Sequence, residues 1–427
     1  MNPGLLLVVI FIGVLFFNVP VAYALGIASM AVMFFCGTFS LDFMAQISFE
    51  STDSFTLLAV PFFILAGDIM VAGGISARLV EFGTVLLSST RGALGMITVF
   101  VSIIFAAISG SGPATVAAVG GILLPAMIEK KYDKSFAGTL TAAAGSLGPV
   151  IPPSLCLIMY GVVVGVSITD LFLGGLLPGI VMGLALLVYA NRAAKKHGFG
   201  EASTQHTFNE KLGAFNRAKW SLLVPIIILG GIYTGIFTPT ESAVIACDYA
   251  LFIGIFVYKE LKLRDIPRIL INTTLTSGTA IIIVACAAAF GKVLAMERIP
   301  TMVAAAILGL TDNVYLILFL INIFLLVVGM LMESLAAIII LAPLLLSIVK
   351  PLGVDPLHFG VVMTMNLAIG MFTPPVGVNL FVASRIGKIP VENMFKWVVP
   401  MAAVLIAVLL LVTYVPAIAT LLPRMLQ

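Results

Sequence analysis

The chain has 427 residues, of which 61% are hydrophobic and 10% are charged, and its net charge is +3. Average soluble domains are about 25% charged, so this composition excludes a soluble globular protein and predicts an integral membrane protein in contact with the lipid bilayer. The small net charge is spread over several loops and indicates no nucleic-acid partner. The four cysteines are far apart and lack CxxC or Cys/His spacing, which predicts neither a redox site nor a metal site.

The first apolar stretch, residues 4–36, resembles a secretory signal, but no basic residue precedes the apolar run. Because a signal peptide needs that positive start, we expect the stretch to remain as membrane sequence, broken near Asn18 and Pro20. A helix needs about 20 apolar residues to cross the hydrocarbon core. Counted on that basis, the chain is predicted to make about 10 to 12 crossings and to contain some shorter, partial ones.

A polar segment, residues 191–219, separates two halves of nearly equal length. It carries six lysines and arginines against two glutamates, and residues 259–268 are also rich in basic side chains. The positive-inside rule places both segments on the cytoplasmic side. Residues 220–258 are then predicted to form a helical pair whose turn, at 238–241, lies on the opposite side of the membrane.

The two halves share an apolar segment that glycine and proline interrupt, at residues 145–155 and 370–379. Adding 222 to the first-half numbers gives these matches: Asp133 with Asp355, Gly138 with Gly360, Gly148 with Gly370, and Pro152 and Pro153 with Pro374 and Pro375. The preceding segments match less well, at an offset of 218 that pairs Ser111 with Gly329 and needs an insertion near Lys350. Paired interruptions in two halves are typical of the binding site of a secondary transporter.

A helix broken inside a bilayer exposes backbone groups, which is tolerated only where they are buried in protein or line a cavity. Freed carbonyl oxygens can bind a hard cation such as sodium, and the N-terminus of a half-helix favours an anion. The duplicated break therefore predicts a duplicated ion site. The alternative is close helix packing, which also uses small residues and tolerates proline.

Two segments that precede the breaks, residues 108–121 and 328–343, follow apolar runs that look too short to span comfortably. We expect each to form a re-entrant hairpin, with tips near 109–115 and 328–335. Glu333, in the second tip, is a carboxylate at membrane depth and therefore indicates a functional role by default. It could bind a cation, hydrogen-bond a substrate or carry a proton, and the alternative is an ion pair with Lys292. Asp68 and Asp248 raise the same question, and the sequence assigns them no role.

The ordered segments 62–70, 109–127, 145–154, 235–243 and 372–381 resemble those of the large, DctM-like membrane subunit of tripartite ATP-independent periplasmic (TRAP) transporters. The resemblance covers nearly the whole chain. It implies an all-α polytopic membrane protein of the bacterial inner membrane: a sodium-driven secondary transporter of the elevator type, with an inverted repeat, two re-entrant helical hairpins and broken transmembrane helices.

The same resemblance implies two protein partners. One is a small membrane subunit of about four helices, and the other is a periplasmic substrate-binding protein that delivers the substrate. Substrates of the family are organic acid anions, and general similarity favours sialic acid (N-acetylneuraminate) over C4-dicarboxylates. At least two sodium ions are expected as coupling ions, with no organic cofactor.

Carried onto this chain, the resemblance implies three groups of site residues. The first sodium site would involve Ser109, Gly110 and Ser111 of the first tip with Gly145, Gly148 and Ile151 of the first break. The second would involve Gly329, Gly370, Thr373 and Val376, and most ligands at both sites would be backbone carbonyls. Substrate would lie between the tips, near Ser111, Pro113, Thr115, Glu333, Ser334 and Asn366.

The expected domain plan follows from the hairpins, the breaks and the polar segment. It consists of N-terminal scaffold helices (1–54), a first repeat (55–190), a cytoplasmic loop (191–219), a scaffold helical pair (220–268), a second repeat (269–397) and a C-terminal helix (398–427).

Two other classes of function are alternatives to transport. The sequence has no HExxH, GxSxG or Walker A motif, so neither an enzyme nor an ATPase is predicted. A channel or a membrane scaffold subunit is the stronger alternative, because channels also hold non-helical backbone within the membrane. Matched breaks accompanied by an acidic residue favour alternating access over a continuous pore.

Overall fold

The computed structural model describes residues 3–17, 19–37, 40–87, 92–200, 207–309, 311 and 313–426. Within these ranges the chain is built from helices alone, which confirms the all-α prediction. The first half contains α1 Pro3–Phe16, α2 Val21–Cys36, α3 Leu41–Thr52, α4 Ala59–Ala72, α5 Ile75–Leu87, α6 Ala93–Ser109, α7 Gly112–Glu129, α8 Lys134–Gly145, α9 Leu155–Val164 and α10 Ile168–His197.

The second half contains α11 Phe208–Tyr233, α12 Pro239–Phe252, α13 Ile266–Met296, α14 Ile299–Leu308, α15 Val314–Leu331, α16 Ser334–Val349, α17 Pro356–Gly370, α18 Val378–Gly387, α19 Val391–Tyr414 and α20 Ala417–Leu426. The predicted interruption of the first apolar stretch is confirmed, because α1 ends at Phe16 and α2 begins after Pro20. Asn18 lies outside the described residues.

Nine helices in the described part are long and apolar enough to cross a membrane. They are Phe55–Ala72, Gly112–Glu129, Ile168–His197, Phe208–Tyr233, Pro239–Val257, Leu263–Met296, Val314–Leu331, Ser334–Leu352 and Val391–Tyr414. Three of them, α7, α15 and α16, are arms of the predicted hairpins. Of the two runs expected to be too short to span, α15 is therefore long enough, whereas α6 is one of the shorter apolar helices. The re-entrant character of the hairpins depends instead on where their tips end.

The polar segment 191–219 is largely helical, which corrects the prediction of a long loop. Helix α10 continues to His197, and α11 begins at Phe208, so most of the basic residues lie on helix ends. Thr207 and Glu210 form a capping box at the start of α11. The prediction failed because charged residues exclude burial in lipid but do not oppose helix formation, for which lysine and arginine are favourable.

The turns of the two hairpins, and the starts of α8 and α17 that follow them, repeat at a displacement of 222 residues. Adding 222 to Gly112, where α7 begins, gives Ser334, where α16 begins, and α6 and α15 end 222 residues apart. The offset of 218 and the insertion near Lys350 were therefore wrong, and Ser111 corresponds to Glu333 rather than to Gly329. Runs of leucine, isoleucine and valine align almost equally well in several registers, whereas the helix ends define only one.

The helices form an outer and an inner group. In the outer group, α4 packs against α12 and α13, α5 packs against α11, and α2 packs against α13. In the inner group, the hairpins α6–α7 and α15–α16 surround the two broken helices, α8–α9 and α17–α18. The repeats interlock, because α18 packs against α7 and α9 packs against α16. This exchange brings residues of both repeats to each hairpin tip.

Candidate functional site

The first hairpin turns at Gly110 and Ser111 and lies directly on the first helix break. Gly110 caps the C-terminus of α6, and its φ of +59° is in the left-handed region that favours glycine. The Gly110 carbonyl accepts a hydrogen bond from the Leu155 backbone N–H at 3.4 Å, at the start of α9. The Thr115 hydroxyl donates to the Ser111 carbonyl at 2.8 Å and lies 2.9 Å from the Ser109 hydroxyl. The tip is thus fixed by its own polar side chains.

Glycines allow this close approach of backbone to backbone. A Cβ atom added to Gly148 would overlap the Ser111 carbonyl group, and one added to Gly145 would lie 3.1 Å from the Gly112 carbonyl oxygen. The structure therefore brings together Ser109, Gly110, Ser111, Gly145 and Gly148, which the sequence assigned to one sodium site. Ile151, the sixth assigned residue, packs with its side chain against Gly179 of α10.

The second hairpin meets the second break in a similar way. A Cβ atom on Gly370 would overlap the Gly329 backbone, so these two glycines are in direct contact. The Val376 N–H donates to the Met330 carbonyl at 3.2 Å, and the Thr373 hydroxyl donates to the Ile369 carbonyl at 2.8 Å. Gly329, Gly370 and Val376 are brought together as predicted, and Thr373 lies one turn beyond the contact. Each break also contains a cis peptide bond, between Pro152 and Pro153 and between Pro374 and Pro375.

The two junctions differ in register. Gly148 contacts Ser111 at the tip itself, whereas Gly370 contacts Gly329, four residues before Glu333, the counterpart of Ser111. The second hairpin therefore extends further past its break than the first. Consistent with this, residues 145–160 are all buried, while Glu333, Pro375 and Val376 are exposed.

Glu333 lies at the end of the second tip, just before α16. Its side chain is exposed. The carboxylate lies beside the backbone N–H groups of Leu335 and Ala336 without forming a well-aligned cap. No ion pair with Lys292 is found among the described residues. A carboxylate near a helix N-terminus is favoured by the helix dipole.

The remaining predicted substrate residues fall into two groups. Ser111, Pro113 and Thr115 lie at the N-terminus of α7, and Ser334 begins α16 and is fully buried. Asn366 belongs to a buried polar chain, because its Nδ2 donates to the carbonyl and side-chain oxygens of Asn322, at 3.0 and 2.8 Å. The Ser334 hydroxyl and the Asn366 Oδ1 have no hydrogen-bond partner in the described part of the chain.

The helix ends give each junction a defined polarity. The C-termini of α6 and α8 meet at the first junction, and those of α15 and α17 meet at the second. Carbonyl-bearing C-termini favour cations, whereas the N-termini of α7 and α16 favour anions. Within the described residues, no cluster of three or more His, Cys, Asp or Glu is present. A cation here would therefore be held mainly by backbone and neutral side-chain oxygens.

Two site residues were missed in the sequence. Asn322 of α15 connects Asn366 to Thr413. The Asn322 Nδ2 donates to the Thr413 hydroxyl at 3.1 Å. Asn379 of α18 reaches the first hairpin tip, although it follows the second break in sequence. Both are polar residues in apolar helices, which is a usable signal, but only the interlocked repeats show which tip Asn379 contacts.

The two other acidic residues singled out in the sequence lie in the outer helices. Asp68 of α4 accepts a hydrogen bond from the Thr273 hydroxyl of α13 at 2.8 Å, so it joins two outer helices. Asp248 is exposed on α12. Neither lies on a hairpin or on a broken helix.

Paired hairpins and interlocked broken helices define an all-helical, polytopic membrane fold. Solved structures with the same fold include the YdaH transporter of Alcanivorax borkumensis, with a TM-score of 0.65, 14% identity and 98% of each chain covered. MtrF of Neisseria gonorrhoeae, described as an efflux pump, has a TM-score of 0.56 and 12% identity, over 97% of this chain and 94% of that chain. At these identities the likeness concerns the fold alone.

The particular family is defined by sequence. Residues 8–418 match the family model of the tripartite ATP-independent periplasmic transporter, DctM component, and the chain belongs to this family. It is thus a permease rather than an enzyme. Its relatives are bacterial and its helices are long enough to span a membrane, which places it in the bacterial inner membrane.

Curated relatives differ in the substrate that their names give. The isethionate TRAP permease DctMQ of Oleidesulfovibrio alaskensis is 47% identical over 94% of this chain, which spans 63% of that longer relative. The sialic acid large permease SiaM of Vibrio cholerae is 39% identical over 97% of each chain. The C4-dicarboxylate large permease DctM of Pseudomonas aeruginosa is 37% identical over 94% of each chain.

Proposed function

We propose that this permease takes up an organic acid anion by sodium-coupled secondary transport. The supporting observation is the duplicated junction, in which a hairpin tip contacts the broken end of a second helix through glycines. Each junction joins two helix C-termini, which suits a cation. The N-termini of α7 and α16 begin at the tips, which suits an anion.

Sodium would bind at each tip and break. The first site would use Ser109, Gly110, Ser111, Gly145, Gly148 and Ile151, and the second would use Gly329, Gly370, Thr373 and Val376. These residues fit a small hard cation, because the glycine contacts leave no room for side chains and present carbonyl oxygens instead. Bound sodium would supply positive charge to the anion, for which the tips offer no arginine.

The substrate anion would lie between the tips, close to Ser111, Pro113, Thr115, Glu333, Ser334 and Asn366. The Ser334 hydroxyl, which has no hydrogen-bond partner among the described residues, is a suitable hydrogen-bond donor. The names of the relatives give isethionate, sialic acid and C4-dicarboxylates as substrates. These molecules share an acid group, so the proposal concerns the class of organic acid anions, with sialic acid as the predicted member.

The transport movement proposed is of the elevator type, with the inner helix group carrying the site past the outer group. Transport would also require a small membrane subunit and a periplasmic binding protein, as in a tripartite system. The length of the DctMQ relative, of which this chain spans 63%, is consistent with a fused second subunit in that protein. A channel, the alternative of another class, would conduct without a binding protein.

The decisive experiment is uptake into proteoliposomes that contain this chain and its small subunit. Labelled sialic acid, isethionate and succinate are tested with the cognate binding protein outside, with and without an inward sodium gradient. Uptake of one anion that needs both sodium and the binding protein supports the proposal. Saturable uptake at the same rate with and without a sodium gradient would contradict the proposed sodium coupling. Non-saturable flux without the binding protein would indicate a channel.

A further inference from the structure

Asn379 lies in the second repeat by sequence but at the first hairpin tip in space. It is fully buried on α18, three residues after Val376 of the second break. Its side-chain Nδ2 donates to the Ala142 carbonyl of α8 at 3.3 Å. This bond fixes the orientation of the amide group, and it leaves Oδ1 without a hydrogen-bond partner among the described residues.

Two glycines of the first repeat make room for this side chain. A Cβ atom on Gly112 would lie 3.0 Å from the Asn379 Oδ1 and 3.1 Å from its Nδ2, and one on Gly145 would lie 3.2 Å from Nδ2. The Cβ atom added to Gly112 would also lie 3.3 Å from the Gly145 carbonyl oxygen, and the one added to Gly145 would lie 3.1 Å from the Gly112 carbonyl oxygen. The Asn379 Oδ1 and two backbone carbonyl oxygens therefore lie close together where the C-terminus of α8 meets the first tip.

The other junction is built differently. Displacing the three positions by 222 residues gives Ser334 for Gly112, Leu367 for Gly145 and Leu157 for Asn379. Helix packing alone could be served by leucine at both junctions. The first junction instead combines two glycines with a buried amide, whose unpaired oxygen is unfavourable unless something binds it.

We propose that the Asn379 Oδ1 is a ligand of the cation bound at the first hairpin tip. The inference deepens the proposed sodium coupling and rests on it. A neutral amide oxygen is a suitable ligand for a hard monovalent cation, and it would act beside backbone carbonyls at the negative end of α8. Because Asn379 follows the second break on the same helix, the first site would contain a residue carried by the second repeat.

The test measures sodium binding directly. Thermal unfolding of the purified permease complex is followed as sodium replaces potassium at constant ionic strength, which reports binding without transport. Asn379→Leu removes the oxygen and introduces the residue type that the first repeat has at the equivalent position, Leu157. We expect its half-maximal sodium concentration to rise by about tenfold or more, the range seen when support for a bound metal is lost. Asn379→Asp keeps the oxygen and adds a charge, so we expect sodium stabilisation at least as large as in the wild type.

Two control variants separate this proposal from loss of packing. Ser242→Ala removes another buried, unpartnered side-chain oxygen, from α12, and should leave the sodium response unchanged. Thr373→Ala, at the second break, should change the half-maximal sodium concentration. Adding Asn379→Leu to this variant should raise that concentration further. An unchanged sodium midpoint in Asn379→Leu, with a lower melting temperature at every sodium concentration, would show that Asn379 only packs. A wild-type complex without any sodium response would contradict the proposed coupling itself.

Discussion

Single glycine residues set the distance between each hairpin tip and its break. Gly148 shows this most clearly, because an added Cβ atom would overlap the carbonyl group of Ser111. Gly148→Ala should therefore push the first tip away and weaken sodium binding, with a stability loss of about 1–3 kcal/mol from overpacking. The half-maximal sodium concentration and the melting temperature of the purified protein measure the two effects.

Gly121→Ala is the matched control on the same hairpin. Nothing lies within 4 Å of an added Cβ atom at this position of α7, and alanine in a helix interior is favoured over glycine by about 0.5–1 kcal/mol. We expect unchanged sodium binding and equal or slightly higher stability. Equal effects of Gly148→Ala and Gly121→Ala would contradict a special role for the junction.

Asp133, in the turn before α8, is predicted to make stability depend on pH. Partial burial opposes its charged form, but hydrogen bonds from the Phe136 N–H, Lys396 and Trp397, together with the Lys396 charge, outweigh that effect and lower the pKa of Asp133. A carboxylate with a lowered pKa stabilises the fold above its unfolded pKa of about 3.9. This contribution is lost as the pH falls through the still lower folded pKa.

Asp133→Asn should therefore lower stability at pH 7 by less than about 1 kcal/mol, since the Lys396 partner is largely exposed and screened. The difference between variant and wild type should shrink as the pH falls below about 4. Melting temperatures between pH 3 and pH 7 test both statements. Asp355→Asn changes the equivalent cap of α17, so a loss of the same size there would show that the Lys396 and Trp397 bonds contribute nothing.

At the scale of helices, the sequence predicts the breaks better than the hairpins. Glycine and proline mark the ends of α8 and α17, and the breaks at 145–155 and 370–379 are confirmed. The register of the hairpin arms was wrong by four residues, since aliphatic residues are interchangeable where the surroundings are apolar. The position of Asn379 could not be predicted either, because it depends on the packing of α18 against α7 of the other repeat.

The contact between α9 and α17 allows the interlocking of repeats to be tested. Tyr160 is fully buried, its hydroxyl donates to the Pro356 carbonyl at 2.8 Å, and its ring occupies the space beside Gly360. Gly360→Ala should cost about 1–3 kcal/mol, because the added Cβ atom overlaps the ring. Tyr160→Phe removes only the hydrogen bond and should cost about 1 kcal/mol.

A double-mutant cycle distinguishes overlap from a general effect of alanine in α17. Tyr160→Leu combined with Gly360→Ala should lose less stability than the sum of the two single variants, because the smaller side chain relieves the overlap. Tyr160→Phe should give no such relief. Additive losses in both pairs, measured by thermal unfolding, would show that the ring and Gly360 are not in contact.

For the whole molecule, an elevator movement requires the inner helices to slide along the outer ones. Gly67 of α4 lies at this boundary, where an added Cβ atom would be 3.7 Å from the Ser109 Cα of the first hairpin. Because this is an ordinary van der Waals distance, Gly67→Ala should leave stability and uptake nearly unchanged. Gly67→Leu places a large side chain in the path of the tip, and we expect the uptake rate to fall by about tenfold, equivalent to a barrier increase of roughly 1.4 kcal/mol.

The obstacle at position 67 should slow the uptake rate without changing sodium binding. In Gly67→Leu the half-maximal sodium concentration in thermal unfolding should stay within about twofold of the wild type, a change of about 0.4 kcal/mol, because Gly67 belongs to neither proposed sodium site. Gly278→Leu is the control, because α13 has open space around that position and uptake should be unaffected. If Gly67→Leu transports at the wild-type rate, the first hairpin does not slide past α4, and a gate that opens within a fixed inner group would be the better description of transport.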